Sequence, residues 1–351
     1  MNRTKYHVLL CTAIGITLAT TITGCYESLL PKEKSYFSEN ANLGKDRYEV
    51  NLGRTNVFIA DFNPDYSTQP LTFTIENVKH EDSTAAPELR EEIDTWQWKK
   101  YYKGDEKTIA EIDAKREKAK RPVLDVRPNS GDVIFWNTDS SKIKPGIYTF
   151  DMRVKNDAGQ KVFRKIILQV KRPRPYDPYE FDDVTGLQKK EQDGRLIFLH
   201  PEVAGMKDEL NNDIKREDVI IYFHKRNADG NSVTYKFFDK DSMPIPISRF
   251  NDMKWDTLMY RSPTADAWVH FGFNRKMAED STSVKYDITN PFPVLADVGT
   301  GGEMAGINFT YTRIAFGQLR KAGLSFGFAI YEPGNWEIIY KFSKNPKFIN
   351  D

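Results

Sequence analysis

The chain is poor in thiols. Among 351 residues there are two cysteines, Cys11 and Cys25, which excludes a disulfide framework and leaves the fold to a hydrophobic core. A chain of this length buries such a core readily. Charge of one sign is lacking too: 51 Lys and Arg stand against 50 Asp and Glu, a formal net charge of +1. Sequence-independent attraction to nucleic acid is thereby excluded. Histidine is scarce, and His80, His200, His224 and His270 stand in no H-x-x-x-H or HExxH spacing, so no zinc ligands are read. Asn227, Asp229 and Asn231 alternate as calcium ligands do, but glycine comes fourth and no bidentate glutamate follows. A hairpin turn accounts for "NADGN" better. The nucleophile motif GxSxG is missing. The glycine-dense "GTGGEMAG" (299–306) has no Lys-Ser/Thr behind it and reads as a turn before a strand. No catalytic residue, metal or cofactor is assigned. A glycosidase pair of carboxylates stays open, because it is defined by separation in space and the chain has 50 acidic residues to draw on.

Long apolar runs are also lacking. "VLLCTAIGITLATTI" (8–22) falls short of the roughly 20 residues that cross a bilayer, and threonines dilute it. Arg3 and Lys5 precede it and Thr23–Gly24 follow, which is the order of a secretory leader over residues 1–24. The four residues Ile22-Thr23-Gly24-Cys25 resemble the bacterial lipobox. That resemblance implies that the Cys25 thiolate is acylated and becomes the first residue of a membrane-anchored chain. Residues 25–46 are polar, contain Pro31 and lack periodicity, so they read as the lipidated cysteine and a flexible tether.

What the chain has in quantity is aromatic residues, 13% of the total, and these suit pleated, half-buried surfaces. The expected fold class is mainly β: an N-terminal Ig-like β-sandwich with a helical insertion, then a C-terminal β-sandwich or jelly-roll-like domain. In residues 47–172 the clearest signal is "GIYTFDMRVKNDAGQKVFRKIILQVK". Tyr148, Phe150, Met152 and Val154 share one face, a turn follows at 156–159, and Val162, Ile166, Leu168 and Val170 return. The Pro-Gly-x-Tyr start and closing hairpin resemble immunoglobulin-like sandwiches. In residues 85–121, Leu89, Ile93 and Trp96 recur at helical spacing, with Ser83 or Thr84 as cap and Pro87 in the first turn. A second helix is expected after Gly104, carrying Ile109, Ile112 and a Glu111–Lys115 pair. A solvated helical hairpin covering a sheet edge is the plain reading. Trp96, Trp98, Tyr101 and Tyr102 exceed what such a hairpin needs and are the partner-docking candidates. Three prolines in residues 173–180 mark a linker. Residues 181–351 hold further strand-like runs separated by turns.

Ligand candidates follow from aromatic chemistry. Sugar C–H faces stack on Trp and Tyr while acids and arginines bond the hydroxyls. Trp255 and Tyr260, amid Asp252, Asp256 and Arg261, have that character, although a tryptophan in a β protein is more often core. Asp-Ser/Thr at 82–84, 241–243, 256–258 and 280–282 resembles the O-glycosylation acceptor motif of Bacteroidota. The stretches "LGRTNVF", "STQPLTFTIENV", "EKTIAEIDAKR", "DVRPNSGDVIFW" and "PRPYDPYEF" resemble an uncharacterised family of Bacteroidota outer-membrane lipoproteins, similar to the accessory SusE-like lipoproteins of SusC/SusD-type uptake systems. The resemblance implies an outer-membrane lipoprotein facing the cell exterior. Its implied role is a non-catalytic binding subunit for glycan or peptide beside a SusC/SusD-type transporter. A purely structural docking subunit is the alternative, and a glycoside hydrolase the third.

Overall fold

The computed structural model describes residues 35–350 except 60, 101, 138–140, 257, 263–266 and 295–303, and leaves aside the side chains of 259–262, 267 and 268. The leader and Cys25 lie outside the described residues. Two hydrophobic cores organise the molecule, which is mainly β.

The first core is built by strands β1 (Asn42–Leu43), β2 (Arg47–Asn51), β3 (Asn56–Phe58), β4 (Phe62–Asn63), β5 (Thr72–His80), β6 (Glu92–Trp98), β7 (Arg116–Pro122), β8 (Leu124–Val126), β9 (Val133–Phe135), β10 (Gly146–Lys155) and β11 (Gln160–Lys171). A sheet in the order β2-β11-β10-β5 faces a sheet in the order β3-β9-β8. The alternation of β10 buries Tyr148, Phe150, Met152 and Val154 against Phe58, Leu124, Val133 and Phe135 of the facing sheet. β2 runs parallel to β11 while β10 pairs antiparallel on both sides, the arrangement of an Ig-like sandwich. The Tyr148 hydroxyl donates to the Lys144 carbonyl at 2.8 Å, the corner bond that such domains share.

The return strand keeps Ile166, Leu168 and Val170 on the expected inward face and departs from it at Val162. Lys165 has a φ of 55°, and its N–H is held by the Asp151 carboxylate at 2.9 Å. The resulting bulge puts Phe163 rather than Val162 against the core. The expected tether also folds over its second half. Ser38 and Ala41 are buried, and the Lys161 ammonium holds the Glu39 and Ala41 carbonyls at 2.6 and 2.7 Å.

The helical insertion is not observed. Pro87–Arg90 forms one 3-10 turn, and Glu92–Trp98 is strand β6, paired antiparallel with β7. Ile93 and Thr95 are buried and Trp96 is exposed, which is period two, not 3.6. β-Branched residues at alternate positions favour that outcome. Ser83 sits in the preceding turn at φ 70°. A short helix, α1 (Ile109–Asp113), does form, capped by the Thr108 side chain. Lys115 pairs with Glu106 rather than Glu111.

The second core is built by β12 (Tyr176–Asp177), β13 (Glu202–Ala204), β14 (Val219–Asn227), β15 (Asn231–Phe238), β16 (Leu258–Ser262), β17 (Ala267–Met277), β18 (Ser283–Asp287), β19 (Ala305–Ala315), β20 (Gln318–Ile330) and β21 (Gly334–Phe342). A sheet in the order β14-β21-β15-β18-β17-β16 packs on β20, which pairs β12, β13 and β19. Phe309 of β19 lies 5.3, 4.9 and 5.2 Å from the rings of Tyr235, Phe237 and Tyr340 on the opposite layer, all edge-on. The module is a two-layer sandwich with a parallel β15–β21 pair. A jelly roll would be antiparallel throughout. The "NADGN" turn is accordingly not a hairpin. It arches from β14 to β15 over the start of β21, where Asn335 Nδ2 donates to Asn227 Oδ1 at 2.6 Å.

Two segments join the cores. The proline-rich stretch contributes β12, whose Tyr176 pairs with Ile330 and stacks on Phe223 at 4.3 Å. The β6–β7 hairpin spans both: Leu89 and Ile93 at its base belong to the first core, Tyr102 and Ile112 at its tip to the second.

Candidate functional site

At this junction lies a cleft of about 870 Å³. Its floor is the outer face of the three-stranded sheet. β8 and β9 turn Leu124, Val133 and Phe135 inward to the core, so the alternate positions face out. Val57, Ile134 and Asp125 stand in one cross-strand row there and line the cleft. The β6–β7 hairpin supplies a wall, with Trp96, Trp98 and Arg116 on one face and Arg121 beside Gln97 on the other, and the second module adds Pro291, Pro293 and Tyr331.

The side chains are held by one another. The Arg116 guanidinium lies 5.0 Å above the Trp96 ring and bonds Asp113, at 2.9 Å from Nε. Trp98 and Tyr102 stack at 5.0 Å with their planes 17° apart. Trp136 Nε1 donates to Asp125 Oδ2 at 3.3 Å. Trp136 is half-buried and packs on the first core while lining the cleft. At the back, Arg54 lies 4.7 Å over the Tyr331 ring and pairs with Asp177. Asp177 also accepts from Tyr331 Oη at 3.2 Å and from Arg174 at 3.0 Å. Burial, with this carboxylate beside it, pushes the Tyr331 hydroxyl up to about 12, so it remains a donor.

The partner-docking candidates fare differently from the ligand candidates. Trp96, Trp98 and Tyr102 all line the cleft, and Tyr101 lies outside the described residues. Trp255 packs against the second core, 5.7 Å from Phe309, with its carbonyl accepting from Tyr286 Oη. The ring is half-buried, with part of its surface spent on that core. Asp252 pairs with Lys321 at 2.6 Å and Asp256 with Arg275 at 2.9 Å. Tyr260 and Arg261 are on β16 at the sheet margin, and their side chains are among those left aside. These five residues therefore are not seen to converge on one site.

Sequence reasoning missed Arg54, Lys99, Lys100, Arg116, Arg121 and Tyr331. The signal available was "REKAKRP" (116–122), four cations in seven residues, which a helical reading spread around a solvated cylinder. Asp82 and Asp280 of the Asp-Ser/Thr stretches accept from the Thr84 and Thr282 amides at 2.9 and 3.0 Å, so these motifs also build turns. Among the described residues no helix is long and apolar enough to cross a membrane, and no three acidic, histidine or cysteine side chains group as a metal site. Residues 62–351 match a family described as a domain of unknown function, DUF5007. No curated protein matches the chain.

Proposed function

We propose, for a chain that belongs to the DUF5007 family, the role of a lipid-anchored, non-catalytic binding subunit of a SusC/SusD-type uptake complex at the outer membrane. Its ligand is a glycan or peptide held in the inter-module cleft. The observation that carries this reading is the cleft itself: about 870 Å³, walled by tryptophan and arginine side chains that already have fixed partners. Ligand sites are concave, with few convergent polar groups, and lie preferentially between modules. Pre-fixed side chains lose little entropy on binding. The leader, the lipobox at Cys25 and the resemblance to SusE-like lipoproteins support the anchor and the partner.

Two measurements test it. The full chain, extracted in detergent, is titrated against a panel of polysaccharides and peptides, beside Trp96→Ala. Binding weakened about tenfold or more in the variant is expected, the loss of one aromatic contact. No binding across the panel by the wild-type chain sinks the ligand role and leaves the docking subunit. Cys25→Ser should release the protein from the envelope fraction, and its retention there would remove the anchor.

A further inference from the structure

We infer that the cleft is built for an acidic glycan, a polysaccharide whose sugars carry carboxylate or sulfate groups. This rests on the binding role proposed above and adds the ligand's charge. Six cationic side chains line the cleft against two carboxylates, in a chain whose net charge is only +1. Three of the six are committed within the protein: Arg54 to Asp177, Arg116 to Asp113 and Arg127 to Asp132. The other three, Lys99, Lys100 and Arg121, are exposed and have no carboxylate at ion-pair distance among the described residues. The Arg121 head is steadied by a neutral acceptor, Gln97 Oε1 at 2.9 Å, whose own Nε2 donates to Glu117 at 3.1 Å, so Arg121 has no direct ion pair.

The two carboxylates of the lining are outnumbered by these three cations, and only Asp94 has a cation opposite it. Asp125 accepts from Trp136 Nε1 at 3.3 Å and from the Val126 amide at 2.9 Å. Asp94 stands across from Lys120 in the β6–β7 register, a same-face pair of opposite charge. Uncompensated cations in a concave site focus the field on an incoming anion, and arginine meets carboxylate and sulfate with paired donors. Trp96 decides between polymers. It keeps 45% of its surface exposed with Arg116 and Lys118 over the ring at 5.0 and 5.9 Å, and the indole surface left open suits the C–H face of a sugar more than a peptide backbone.

The test uses the full chain in detergent and affinity electrophoresis through polygalacturonate, carrageenan, dextran and polyglutamate. Polygalacturonate and carrageenan separate carboxylate from sulfate as the group recognised. Retardation by at least one of them and none by dextran is expected, weakening as salt rises and the Debye length shrinks below about 10 Å. The Lys99→Gln/Lys100→Gln/Arg121→Gln variant should bind about tenfold more weakly or worse at an unchanged melting temperature, and Lys99→Arg/Lys100→Arg should bind as wild type. Equal retardation by dextran, stronger retention by polyglutamate, or an unaffected triple variant overturns the inference while leaving a binding protein. Silence of the wild-type chain toward every polymer, peptides included, overturns the binding role with it.

Discussion

His270 carries a titration that the fold sets. It lies on β17, and its amide donates to the Gly104 carbonyl at the hairpin tip at 2.8 Å. Burial lowers its imidazole's affinity for a proton; Lys107 acts the same way and Asp105 opposes them. The folded state therefore releases this proton more readily than the unfolded chain. Stability from this group is fully present above the unfolded value of about 6.5, is lost as pH falls below it, and levels off below the folded value. His270→Gln should lose less melting temperature than wild type between about pH 7.5 and 5.5, measured by thermal scans in parallel. An equal loss in both would remove the group from the account. Single residues were legible where one strand decided their fate, as with Tyr148 and Phe150, both buried on their strand. Trp136 and Trp255 depended on neighbours far along the chain. One lines a cleft and the other a core, and nothing local in the sequence separates them.

At the scale of elements, the β6–β7 hairpin is the instructive case. Leu89, Ile93 and Trp96 fit a helical stripe by spacing alone, yet Leu89 lies within a single 3-10 turn and Trp96 faces out from a strand. Alternation of the β-branched Ile93 and Thr95 was the better guide, and it was masked by the lysines and glutamates around it. The hairpin's tip docks through Gly104, at φ +84°, where a Cβ would come within 2.7 Å of Val269. Gly104→Ala combines that clash with a left-handed backbone cost of about 1–2 kcal/mol. We expect a lower melting temperature and faster hydrogen exchange at the His270 amide, and unchanged exchange there would show that the tip docks otherwise. The β10–β11 hairpin was readable because turn and alternation are both local. The insertion of β21 between β14 and β15 was not, because it joins segments about a hundred residues apart.

For the whole molecule, the two modules are fastened through Asp177. It gathers Arg54 from the first module, Tyr331 from the second and Arg174 from the joining segment. Asp177→Ala leaves the buried Arg54 guanidinium without its carboxylate, while Arg174 keeps Asp183, at a cost of about 3 kcal/mol. Calorimetry is expected to show one transition for the wild type and two for the variant, as the cores come apart before either melts. A variant that still unfolds in one step would place the coupling in the hairpin alone. The sequence disclosed two β modules and the proline-rich stretch between them. That the stretch would become strand β12, and that a cleft would open beside it, depended on tertiary pairing.

Strand direction adds a consequence for reach. The chain comes into the first module beside the β10–β11 turn, where the Tyr36 carbonyl accepts from Asn156 Nδ2 at 2.9 Å. The cleft sits past the opposite end of those strands, next to Arg54 and the Lys171 terminus of β11. Twelve residues of β11, at about 3.3 Å each, give a rod of roughly 40 Å. Under the anchor proposed at Cys25, such a rod would work as a mast. It would carry the mouth of the cleft clear of the headgroups, out where polymers too bulky to touch the bilayer meet it.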